Sequence, residues 1–185
     1  MVVLSLVLLV LALAAVLVGW LSPRRGPGLV GVGLAGALLT VVAAIGVVHD
    51  PSGPPAPWLR LLLLAATSLL AVGGGGPLTA AVFGLVDGRD RPRADQGSAR
   101  GSMEEAGQVL RGGAWIGVLE RAAVFATLMA GWPEGLAVVL GLKGLGRYPE
   151  LRSGHNSGTA ERFIIGTFTS ALWAAACAGA VLLLL

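Results

Sequence analysis

Four stretches of this chain, residues 1–23, 26–48, 61–86 and 163–185, contain no Asp, Glu, Lys or Arg. Each is at least 23 residues long, and about 20 apolar residues at ~1.5 Å rise per residue carry a helix across the hydrocarbon of a bilayer. Composition points the same way. Charged residues make up 12% of the chain and hydrophobic ones 55%, where a soluble domain carries about 25% charged. A water-soluble core of 185 residues cannot hide so much apolar surface. The fold class predicted is all-α, a polytopic transmembrane helix bundle.

Two further segments bring the expected number of spans to six. Residues 112–132 form one, interrupted by Glu120 and Arg121, and residues 135–148 a second, shorter one. The turn at Trp132, Pro133 and Glu134 joins them. If the short segment is re-entrant, the number falls to five. The chain then divides into an N-terminal three-helix membrane region (1–86), a cytoplasmic loop and helix start (87–111), and a C-terminal three-helix membrane unit (112–185). The first segment has no basic residue ahead of its apolar run and no small-residue cleavage site after it, so it reads as a retained span.

Orientation follows from the basic residues. Eleven of the 13 fall on one side of the expected bundle: Arg24 and Arg25, then five between Arg89 and Arg111, then Lys143, Arg147, Arg152 and Arg162. Arg121 lies within a span, and Arg60 stands alone on the other side. The positive-inside rule makes the crowded side cytoplasmic and puts both termini outside. The expected location is a bacterial plasma (inner) membrane, crossed several times. The same bias accounts for a pI near 10, and no aromatic-basic interleaving calls for a nucleic-acid partner. The partners expected are the lipid bilayer and, beyond it, other membrane proteins or a second copy of the chain.

The loops are read from their punctuation. HDPSGPPAP, residues 49–57, is a short extended connector ending at Trp58, with His49 and Asp50 an ordinary polar helix end. DGRDRPRADQGSARG, residues 87–101, is a flexible polar loop. Ser102 and Glu105 have the spacing of a capping box, which starts the fourth helix near Met103. Thr159 and Glu161 likewise look like the start of the last helix.

Within the third span, Gly73, Gly74, Gly75 and Gly76 are followed by Pro77. Each glycine costs a helix about 0.8–1.0 kcal/mol relative to alanine, and proline suits the first turn of a new helix. The expectation is two half-helices with a break between them. Such a break either lets helices pack closely or lines a site for a solute at the positive end of the second half-helix.

The three charges in the C-terminal spans carry the candidate site. Glu120 lies eleven residues before Gly131, about 16 Å along a helix, and Lys143 lies nine after Glu134, about 13 Å. Antiparallel neighbours joined by a tight turn bring the two to matching depth, where an unpaired charge costs about 2.5–3.5 kcal/mol. Glu120 and Lys143 are therefore expected to pair. Arg121 points about 100° away from Glu120 around the helix and needs another acceptor, Glu161 or backbone carbonyls near the glycine break. Arg147 shares a face with Lys143. Gly113, Gly117, Glu120, Val124, Thr127 and Gly131 form a small-residue stripe around the acid, and Arg162, Gly166, Ser170, Ala174 and Ala178 repeat at four on the last helix. Three readings fit these charges: ion pairs that hold the helices together, a polar site for a solute, proton or lipid headgroup, and snorkelling of Lys143 and Arg147 to the interface.

GGAWIGVLER, LKGLGRYPEL and AERFIIGTFTSALW resemble the C-terminal half of a family of small uncharacterised bacterial integral membrane proteins, with a GxxIGxLER, KxxxR and ExFxIGTxxS pattern. The resemblance covers about a third of the chain. It maps onto Gly113, Ile116, Gly117, Glu120, Arg121, Lys143, Arg147, Glu161, Phe163, Ile165, Gly166, Thr167 and Ser170. It implies a shared intramembrane site and brings no activity with it. A His/Asp-bearing motif in the first span of some members has no counterpart in residues 1–21.

Two functions remain: a non-catalytic membrane scaffold or accessory component, and a transporter or channel for a small solute or ion. No HExxH-type motif, paired inner-face carboxylates or nucleophile–base constellation argues for an enzyme. Neither a metal nor a cofactor is expected. Cys177, the single cysteine, excludes a disulfide within the chain and reads as a small core residue.

Overall fold

A computed structural model describes residues 1–21, 25–48, 55–90, 111–148 and 157–185, and these are helical throughout apart from turns and ends. The helices are α1 (Val2–Leu21), α2 (Arg25–Val48), α3 (Pro57–Asp90), α4 (Arg111–Met129), α5 (Gly135–Gly146) and α6 (Ser157–Leu182). Among the described residues, α1, α2, α3 and α6 are long and apolar enough to cross a membrane. The other two fall short of that. α4 carries Arg111, Glu120 and Arg121 in 19 residues, and the 12 residues of α5 reach only about 18 Å of a ~30 Å hydrocarbon layer.

Each long helix buries one narrow seam and leaves the rest of its apolar surface outward, as a protein solvated by lipid does. On α1 the seam is Ser5, Leu9, Ala12 and Val16, at three- and four-residue steps. It meets Ala35, Leu39 and Val42 of α2, and the core continues through Leu63, Leu70 and Ala71 of α3 into Trp173, Ala174, Cys177 and Ala178 of α6. Cys177 is fully buried there. α3 is the central element, packed against α1, α2, α4 and α6.

The break expected in the third span does not occur. α3 is one helix of 34 residues with Pro77 inside it, and it runs on to Asp90, into the stretch expected to be loop from Asp87. Packing explains why the four glycines stay helical. A Cβ on Gly74 would lie 2.6 Å from the Trp173 ring, and one on Gly75 would lie 2.3 Å from Cδ of Arg121. These two residues are glycine because α4 and α6 press side chains against the backbone of α3. Of the two explanations for the glycine run, close packing is the one this geometry matches.

The α4–α5 connection is a Schellman motif. Gly131 has φ +68, a conformation that costs a side chain and suits glycine. The Trp132 N–H donates to the Thr127 carbonyl at 2.9 Å and the Gly131 N–H to that of Leu128 at 3.1 Å. Pro133 then stops the helix from continuing. The turn thus begins one residue earlier than expected, and Gly131 caps the helix instead of belonging to its small-residue stripe. α6 begins at Ser157, so Glu161 falls beyond its first turn. His49, Asp50, the loop from 91 and the Ser102–Glu105 capping pattern lie outside the described residues.

Candidate functional site

The turn at Gly131 folds α5 back against α4, and this brings Glu120 and Lys143 together. Lys143 Nζ donates to Glu120 Oε2 in an ion pair, with the two side chains 16% (Glu120) and 20% (Lys143) exposed. The same ammonium stands 5.8 Å from the centre of the Phe163 ring of α6, within range of a cation–π contact. The pairing expected from residue counts is present.

Arg121, the next residue, turns the other way and is the more deeply buried, at 6% exposure. Its Nε donates to the Val72 carbonyl of α3 at 2.7 Å, and one terminal nitrogen donates to Ser170 Oγ of α6 at 3.3 Å. The acceptor is thus a backbone carbonyl beside the glycine run, and not Glu161. The inward face of α4 centres on Arg121, Val124 and Phe125, with Glu120 on its flank toward α5. Val124 of the expected stripe lies on that face, but Arg121 instead of Glu120 occupies the junction of three helices.

Two tryptophans join Arg121 in donating to the backbone of α3. Trp173 Nε1 of α6 donates to the Leu70 carbonyl at 3.0 Å, and Trp20 Nε1 of α1 to the Gly73 carbonyl at 3.1 Å. The second has a specific cause. Pro77 has no N–H, so the carbonyl four residues earlier, that of Gly73, loses its helical partner. In lipid such a group must be satisfied by a neighbouring helix, and Trp20 does so. Thr79 Oγ1 also donates to the Gly75 carbonyl, at 2.8 Å.

Glu120, Arg121 and Lys143, with Thr167 and Ser170 of α6, line a cleft of about 10 Å³ closed by apolar walls such as Val124 and Val139. The other two charged residues named from the sequence do not join it: Arg147 and Glu161 are exposed and lie outside the lining. Of the α6 stripe, Ser170, Ala174 and Ala178 are buried, Gly166 faces Phe83 of α3, and Arg162 is exposed, 5.8 Å from the same Phe83 ring. Sequence reasoning gave Trp20 and Trp173 no part in the site and reached Thr167 only through the family resemblance. For Trp173 a signal existed, since it lies three residues after Ser170 on the same helix face. For Trp20 none did, because its acceptor is backbone.

Among the described residues, no group of His, Cys, Asp and Glu is arranged to hold a metal ion. No protein-family model, curated protein or solved structure matches this chain.

Proposed function

We propose that this protein is a non-catalytic scaffold or accessory component of a bacterial inner membrane, crossing it several times with both termini outside. Its buried polar side chains set the register of its helices. Membership of the bacterial family that the C-terminal half resembles belongs to the same proposal. The carrying observation is Arg121, whose guanidinium bonds α4 to both α3 and α6. Lipid tails are as apolar as leucine, so helices in a bilayer gain little from apolar contact and are held by packing and interhelical hydrogen bonds. The partners that fit are lipid, other membrane proteins or a second copy.

The test is a cycle on Glu120 and Lys143. Glu120→Gln and Lys143→Met alone each strand a charge, and each is expected to cost about 3 kcal/mol, the low end for a buried pair because both side chains keep some exposure. The double change is expected to recover most of the folded yield of detergent-purified protein. Additive losses would show that the pair is not coupled. Recovered fold with a lost cellular phenotype would favour the second reading, a small-ion transporter or channel, for which the polar cleft beside the pair is the supporting observation.

A further inference from the structure

The cleft between α4, α5 and α6 contains more hydrogen-bond donors than its helices use. A guanidinium carries five N–H donors, and among the described residues Arg121 uses two of them, on Val72 and Ser170. Ser170 accepts one of those two through its oxygen. The Thr167 hydroxyl is wholly out of solvent and has no hydrogen-bond partner among the described residues. Native proteins rarely leave such a group unpaired, so each instance calls for an explanation. The charges are unbalanced too. Two cations, Arg121 and Lys143, line the cleft against the single carboxylate of Glu120, which already serves Lys143. Low-dielectric apolar walls make a surplus positive charge costly.

Size restricts what could complete this set. About 10 Å³ is room for a group of roughly one water's size, which favours a monatomic ion or a single water over phosphate, sulfate or an organic solute. Water would satisfy Thr167 but leave the charge uncompensated.

We propose that this cleft binds one monatomic anion of the halide class, held by Arg121 N–H groups, the Thr167 hydroxyl and the Lys143 ammonium. This goes beyond the scaffold reading, which needs no ligand. The ion would supply the countercharge that the helices do not.

The experiment uses the full chain in detergent, with melting temperature followed at constant ionic strength while sodium gluconate, too bulky to enter, is exchanged for chloride or bromide. The expected result is a rise of several degrees that saturates with halide. Crystals grown in bromide are expected to show an anomalous peak inside the cleft. Thr167→Val keeps the shape of the side chain and removes its hydroxyl. This variant is expected to fold in gluconate like the parent and to need about tenfold more halide for half the effect, the loss of one hydrogen bond to a charged group. Equal melting temperatures in gluconate and halide would overturn the proposal and leave the cleft a water site. A halide effect unchanged in Thr167→Val, or a bromide peak elsewhere, would overturn it as well.

Discussion

The α1–α2 pair and the junction of α3 with α4 and α6 are both close helix contacts, but they are built from different forces. Between α1 and α2 the approach is steric: a Cβ on Gly31 would come within 2.5 Å of the Ala15 carbonyl oxygen, and the seam around it is aliphatic. At the α3 junction the approach is made for hydrogen bonds. Leu70, Val72 and Gly73 of α3 present carbonyls to Trp173, Arg121 and Trp20 from three different helices. A small-residue seam permits close packing at several neighbouring registers. A guanidinium reaching one carbonyl permits one.

The comparison can be broken by putting the same substitution in both regions. Gly75→Ala is expected to have the largest effect, at least about 3 kcal/mol. The new methyl overlaps the Arg121 stem, and overpacking of about 1–3 kcal/mol adds to weakened bonds of a charged donor. Gly31→Ala is expected to cost somewhat less, about 2–3 kcal/mol: its methyl meets α1 backbone, which must shift as a unit, and the better helix propensity of alanine offsets only part of that. No hydrogen bond is lost there. Thermal unfolding of the two variants in one detergent measures both, and an equal loss would show that hydrogen bonding adds nothing at the α3 junction.

A smaller effect sharpens the account of Pro77. Trp20→Phe removes the donor to Gly73 and is expected to cost about 1 kcal/mol. In a Pro77→Ala background the helix recovers its own N–H for that carbonyl, so the same change is expected to cost close to nothing. An undiminished effect would mean that Trp20 acts through packing alone. Smallest of all, Gly73→Ala meets nothing within 4 Å and is expected to be neutral or stabilising by up to about 1 kcal/mol.

The proposed topology has its own check, independent of stability. With Cys177→Ser removing the native thiol, Asp95→Cys is expected to resist membrane-impermeant maleimide in intact cells and to react after lysis. Labelling from outside would reverse the orientation inferred from the basic residues.

Much of the site is legible in the order of the residues. Glu120 and Lys143 can be paired because a tight turn converts residue counts into depth, and depth in lipid makes an unpaired charge expensive. The need of Arg121 for a separate acceptor is legible from helix periodicity. Motif and spacing place Glu161 and Arg147 with them. The fold leaves both exposed near helix ends, where water or headgroups can serve a charge at little cost.

Local chemistry in the chain determined what hydropathy and propensity act on directly: long charge-free helices, a glycine-capped hairpin and the depth of the charges. Tertiary structure decided which groups meet. Gly73–Gly76 and Pro77 read locally as a broken helix, yet α3 stays continuous because Trp173 and Arg121 fill the space the glycines leave and Trp20 satisfies the carbonyl that proline frees. Backbone carbonyls are present at every residue and carry no mark in a sequence. Only the packing of four helices selects the three that become acceptors.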